Sequence, residues 1–170
     1  MFRVRFAREL DANLLQQIER LAGSRFRDVG LPEVADDEPP AVAELERHAR
    51  DGRSWVVLGG SGKPVGYVMV AEVDGNAHIE QMSVRPDQQG LGAGRALVDR
   101  VRAWALDTGH DAITLTTYAD VPWNRPLYEH LGFRVLEEAE IGHELQDIRQ
   151  GERARGMDLR PRVCMRLDIK

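Results

Sequence analysis

The stretch from Ile79 to Gly94, IEQMSVRPDQQGLGAG, constrains this chain more than any other. A strand-like run ends in glycine at every second position, Gly90, Gly92 and Gly94, and an amphipathic helix begins at once. Helix starts leave backbone N–H groups without intrahelical partners and carry the positive end of the helix dipole. Glycines there let a phosphate come close to the backbone, so the junction reads as an anion cradle suited to a pyrophosphate. From Arg95 to Asp107 the apolar residues Leu97, Val98, Val101, Trp104 and Ala105 recur at i, i+1, i+4, i+7 and i+8, one helical stripe. Gly109 stands where a C-terminal cap is expected.

Two familiar phosphate motifs are excluded. A P-loop needs GxxxxGK followed by Ser or Thr, and the only Gly-Lys, Gly62-Lys63, runs into Pro64. A dinucleotide loop needs GxGxxG, and from Gly90 or Gly92 the third glycine falls on Arg95 or Leu97. What stands there is Q-x-x-G-x-G, from Gln89 through Gly90, Leu91, Gly92 and Ala93 to Gly94. Farther on, Asp120 to Phe133 reads DVPWNRPLYEHLGF, with Asn124 opening a helix, Tyr128 one turn along, and Leu131-Gly132-Phe133 ending it before a strand. One helix and one short strand, Ala112 to Tyr118, separate the two segments. In this order they resemble the two signatures of the GNAT superfamily of N-acetyltransferases, the first being its acyl-CoA pyrophosphate loop.

Bulk properties agree with one domain spanning residues 1–170, of which 42% are hydrophobic. No apolar run reaches the length of a membrane span, and MFRVRFARELDA lacks a signal peptide's apolar centre. The single cysteine, Cys164, lies in an apolar strand-like run, which predicts a buried thiol and suits a cytoplasmic location. A net charge of −5 argues against nucleic acid and for cationic acceptors. Strands are predicted at Phe2–Phe6, Trp55–Leu58, Val65–Val73, Asn76–Arg85, Ala112–Tyr118, Phe133–Glu138 and Val163–Ile169. Helices are predicted from about Asp11 to Ala22, with Leu14, Leu15, Ile18 and Leu21 as the buried stripe, and at Ala41–Arg50 and His143–Arg155. Arg25–Pro40 reads as irregular.

The resemblance implies an α/β fold, a single GNAT-like domain with a central mixed, mostly antiparallel sheet of about seven strands, flanked by helices and splayed between the fourth and fifth. It implies acetyl-CoA as co-substrate and no metal. Gln89, Gly90, Leu91, Gly92, Ala93, Gly94 and Arg95 would hold the pyrophosphate, the backbone of Met82 and Val84 the pantetheine arm at a bulge, and Asn124 and Tyr128 the far end of the arm. Strict alternation puts His78, Glu80, Met82 and Val84 on one face.

Transfer to an amine of pKa roughly 10 requires removal of a proton at neutral pH. Glu80 is the candidate base, or else it orients water or binds a cationic acceptor. His78 is a second candidate, or a packed histidine. Tyr128 is the candidate acid for the departing thiolate, or a core aromatic bonded to backbone. A backbone N–H near Met82 would serve the oxyanion. Asn124 caps the following helix or contacts the cofactor arm. Arg85, Arg95 and Arg125 are within reach of phosphates, and Asp36-Asp37-Glu38 is a solvated loop or a steering patch. The expected acceptor is a small-molecule amine. A protein N-terminus or lysine, or a binding-only acetyl-CoA module, are the alternatives. No nucleic-acid or membrane partner is expected. Relatives often pair through their last strands, so a homodimer is one arrangement the resemblance allows.

Overall fold

The computed structural model describes all residues from Met1 to Lys170. The strands are β1 (Arg3–Phe6), β2 (Ser54–Leu58), β3 (Pro64–Val73), β4 (Asn76–Val84), β5 (Ala112–Tyr118), β6 (Arg134–Val135) and β7 (Arg162–Asp168). The helices are α1 (Ala12–Gly23), α2 (Pro32–Ala35), α3 (Val42–Arg50), α4 (Ala93–Asp107), α5 (Arg125–His130) and α6 (His143–Ala154). All seven strands form one mixed sheet in the order β1-β2-β3-β4-β5-β7-β6. The parallel pair, β4 with β5, matches over Ala77↔Ile113 and His78↔Thr114, two positions, where β5 and β7 match over seven. That short ladder is the form taken by the splay expected between the fourth and fifth strands. The chain comprises two compact units, Met1–Ala71 with Ile79–Val101, and Glu72–His78 with Arg102–Lys170.

In the first unit the apolar runs of β2 and β3 are buried almost throughout, as strands covered on both faces must be. Leu15 and Ile18 of α1 and Leu45 of α3 pack on Val56, Leu58, Tyr67 and Met69, so both helices share one layer. The stripe predicted for α1 needs a correction. Leu21 is 46% exposed. The line i, i+3, i+7 from Ala12 and Leu15 arrives at Glu19, a carboxylate on the packed side of the helix that the predicted stripe did not include. Arg25–Pro40 is also more regular than predicted. Ser24–Val29 forms a 3-10 turn and Pro32 opens α2 from its first position.

In the second unit Leu145 of α6 packs on Val73, Leu136 and Cys164, the last a buried thiol as predicted. Asp74 ties the β3–β4 turn to this helix. Its backbone takes φ 52°, and its carboxylate accepts the N–H groups of Glu144 at 2.9 Å and Leu145 at 3.1 Å, two orphan donors of the first turn. The strand predicted over Phe133–Glu138 is only Arg134–Val135. Beyond it Glu140 reaches back to the N–H of Glu137 at 2.9 Å and closes Glu138–Glu140 into a 3-10 turn.

Charged groups are buried here as a network. Glu152 accepts from Arg149 at 2.8 Å, Thr116 at 2.6 Å and Arg162 at 3.1 Å, while Arg149 also donates to Asp158. Burial alone would push the Glu152 carboxyl up; Arg162, Thr116 and Arg149 together draw it below the usual glutamate range. A depressed carboxylate contributes stability that is present above its ordinary value and is lost as pH falls through its folded value. Glu152→Gln should therefore destabilise the chain by about 3–5 kcal/mol near neutral pH, because it strands buried guanidinium charge, and by less in acid. Urea unfolding at several pH values measures both.

Candidate functional site

The cradle predicted from Gln89 to Arg95 is built at the start of α4. After β4 the N–H of Arg85 donates to Val65 O at 2.8 Å, and a 3-10 turn at Pro86–Gln88 leads to Gln89. Gln89 binds the loop to the strand it leaves. Its Nε2 donates to Val84 O at 2.9 Å and its Oε1 accepts from Arg25. Gly90 and Gly92 take φ 76° and 100°, the left-handed region that favours glycine, and space around both is open to at least 4 Å from a Cβ. The first helical bond, Ala96 N–H to Gly92 O at 3.0 Å, leaves the N–H groups of Ala93, Gly94 and Arg95 outside the helical ladder. Ala93 is buried and anchors the turn; Leu91 and Arg95 are exposed. These residues fit a pyrophosphate: an open surface, backbone donors and a helix start of fifteen residues.

Strict alternation along β4 fails at one step. Gln81 and Ser83 both donate to Glu19 of α1, at 2.6 Å each, so they share a face. Glu80, next to Gln81, pairs with His48 of α3, in the same helical layer as α1. Two successive side chains on one side mark a break of the kind the resemblance implied. Met82 consequently does not share the face of Glu80. It lies instead under the first turn of α4, where its Cε would stand 3.7 Å from a Cβ at Gly94.

Glu80 opens onto a cleft of about 390 Å³ lined by Arg47, His48, Asp51, Arg53, Val70 and Ala71. His48 was not singled out in the sequence, although it stands three residues after Leu45 on the buried stripe of α3, an unexpected place for a histidine. Its Nδ1 lies 2.9 Å from Glu44 O, which can only accept, so that nitrogen carries a proton. Its Nε2 lies 3.2 Å from Glu80 Oε1, and a hydrogen bond there needs a second proton, on the ring or on the carboxyl. The pair thus holds one mobile proton. The hydrogen bond to Glu80 outweighs burial and raises the His48 pKa above the usual imidazole value. Its stabilising contribution is complete below that usual value and fades as pH rises through the raised one.

The second predicted segment forms α5 in the second unit. Asn124 occupies the N-cap position, but its side chain makes no cap hydrogen bond; its carbonyl accepts the N–H of Tyr128 at 3.1 Å. Gly132, at φ 102°, ends the helix: Gly132 N–H donates to Glu129 O at 3.0 Å and Phe133 N–H to Tyr128 O at 3.0 Å. This is a Schellman cap, and its usual hydrophobic contact is the edge-on packing of Phe133 against Tyr128, with centroids 5.6 Å apart. The motif therefore fixes the buried ring of Tyr128 as well as the helix end. His78 is buried, with Nδ1 at 2.9 Å from Thr114 Oγ1 on the paired strand, as a packed histidine would be. Arg85 is held by Asp87 and Arg125 by Glu129; Arg95 stands on the cradle itself. Asp36, Asp37 and Glu38 are exposed, with Asp36 paired to Arg27.

The family model for GNAT acetyltransferases matches residues 14–133, from α1 through the end of the second signature. The chain belongs to this family. It is 35% identical over 74 residues to the thialysine N-ε-acetyltransferase of Sus scrofa, a match that spans 42% of this chain and 42% of that protein. A GNAT acetyltransferase from Staphylococcus aureus Mu50 shares the fold across 100% of both chains, with a TM-score of 0.75 at 14% identity. Rv2747 from Mycobacterium tuberculosis, solved with CoA and NLQ, shares it over 98% of both, with a TM-score of 0.70 at 21% identity. No helix of this GNAT chain is long and apolar enough to cross a membrane.

If Glu80 raises the His48 pKa, Glu80→Gln should return the imidazole titration toward its ordinary range. An NMR titration of the ring resonances, assigned by loss of signal in His48→Gln, reads this directly.

Proposed function

We propose that the chain is an acetyl-CoA-dependent N-acetyltransferase that transfers an acetyl group directly to the primary amine of a small molecule. The observation that carries this reading is the Glu80–His48 pair, which sets a carboxylate able to take a proton at the edge of an open, polar cleft. The thialysine acetyltransferase supports it, since its name specifies the ε-amine of a small molecule. A net charge of −5 favours a cationic acceptor.

Each side chain then has a task. The carboxylate of Glu80 takes the ammonium proton, and His48, hydrogen-bonded to one of its oxygens, holds the carboxylate in place and shares its charge. Gly90, Gly92 and the N–H groups that begin α4 hold the pyrophosphate, with Arg95 adding positive charge. The backbone of Met82 and Val84 receives the pantetheine arm, and an N–H near Met82 donates to the thioester oxygen. Tyr128 gives its proton to the departing thiolate, and Asn124 contacts the arm. When bound, acetyl-CoA supplies the activated acyl carbon; the new N–C bond replaces the C–S bond. No covalent enzyme intermediate is needed.

Three outcomes test these roles. Tyr128→Phe should lower kcat by about 10²- to 10⁴-fold with acetyl-CoA affinity unchanged. Glu80→Gln should lose most activity at low pH and recover part of it as pH approaches the amine's own value, roughly 10. Gly92→Val adds about 1–3 kcal/mol of backbone strain and fills the cradle, so calorimetry should show acetyl-CoA binding lost while the fold is kept. Acceptor class is read by acetyl-CoA-dependent CoA release across polyamines, amino acids, arylalkylamines, aminoglycosides and peptides with free N-termini. Turnover confined to peptides overturns the small-molecule reading. Tight acetyl-CoA binding with no turnover on any acceptor overturns the enzyme.

A further inference from the structure

We infer that Glu19 is a positioning residue for the base. Its carboxylate fastens Gln81 and Ser83 to α1 and so holds the break in β4 that turns Glu80 toward His48 and the cleft. Three donors converge on it: Gln81 Nε2 on Oε1 at 2.6 Å, Ser83 Oγ on Oε2 at 2.6 Å, and Tyr67 Oη on Oε2 at 2.7 Å. Two of the three come from the residues just past the break. Left to regular alternation, a strand that presents Gln81 and Ser83 to α1 would send Glu80 to the opposite face with Met82. A bulge of this sort re-aims one side chain, and something must choose the bulged arrangement over the regular one.

The sequence supports the same reading. Glu19 lies in line with Ala12 and Leu15 on the packed side of α1, where an apolar residue would bury more surface and need no partner. An ionised carboxylate has acceptor sites and no donor, which matches three convergent donors and would match none of the apolar alternatives. Burial raises the Glu19 carboxyl above its usual range, with Asp37 adding to it, while Ser83, Tyr67 and Gln81 pull the other way. Shortening the side chain or removing its donors would release the strand segment that carries Glu80. The distance from Glu19 to the cleft is spanned by that segment alone, Glu80 and Gln81 being neighbours.

This inference rests on the reading of Glu80 as the base, and its test needs neither acetyl-CoA nor acceptor. The readout is the His48 imidazole titration by NMR in the full chain. The groups around that ring are Glu44 and Glu80, with Arg47, Asp51 and Arg53 lining the cleft. Gln81→Met with Ser83→Ala unfastens the clamp without altering any charge, and Glu80→Gln sets the value for a ring without its carboxylate. The doubly substituted chain should move the His48 titration at least halfway to the Glu80→Gln value, and Ser83→Ala alone should move it part of the way. A wild-type His48 titration in the folded double variant overturns the proposal; if that variant does not fold, Ser83→Ala decides by the same criterion. Where the acceptor panel supplies a substrate, the double variant should lower kcat by about 10²-fold, the cost of a misplaced group. A silent panel with a shifted His48 titration would remove the transferase reading and leave the clamp standing.

Discussion

Successive side chains of a β-strand point to opposite faces, and in β4 two of them do not. Glu80 meets α3 while Gln81 meets α1, and those helices pack together over one core. Much of the first unit can be read as a consequence of that lapse. With it, the strand offers a carboxylate to the cleft on one side and sets Met82 under the start of α4 on the other. Without it, Glu80 and Met82 would compete for one face, and His48 would sit on a buried stripe with nothing to share its proton. A buried histidine is costly in isolation. As a member of a hydrogen-bonded set it is satisfied, and the set fixes the side chains in a single arrangement.

The two signature segments use opposite ends of a helix. At α4 the positive glycine dihedrals leave the first N–H groups pointing outward and unclaimed by the helix, which makes the end attractive to negative charge. At α5 the glycine does the reverse: Gly132 lets the chain fold back so that its last carbonyls are claimed by Gly132 and Phe133. A helix of only six residues has little stability of its own. The cap and the packing of Phe133 on Tyr128 therefore account for why this short piece holds its tyrosine in a defined place.

Legibility followed the range of the interactions. Helix and strand positions set by period and punctuation were read to within a residue or two: α3, α4, β5 and α6 begin and end near their predicted limits, and Gly109 and Gly132 stop helices where glycine was taken as a stop signal. The errors lie where a side chain from elsewhere decides. Phe133–Glu138 carries strand-like residues, yet Glu140 turns its second half into a 3-10 loop. Leu21 belongs to an apolar pattern, yet the packed face of α1 runs through Glu19. His48 could have been noticed as a polar residue on an apolar stripe, but its partner lies thirty-two positions away on another strand.

The sequence by itself determined where helices and strands run, the glycine turn before α4 and the short helix that carries Tyr128, because each is written in local spacing: a period of two or of 3.6, a glycine where φ must be positive, a cap at a fixed offset. The family and its mixed sheet came from the resemblance of two segments to the GNAT signatures. Only the tertiary structure decided which way Glu80 faces and what it meets. Alternation is a local rule and was broken by distant groups, the Glu19 carboxylate that holds Gln81 and Ser83 and the imidazole of His48, whose hydrogen bonds no spacing along the chain records.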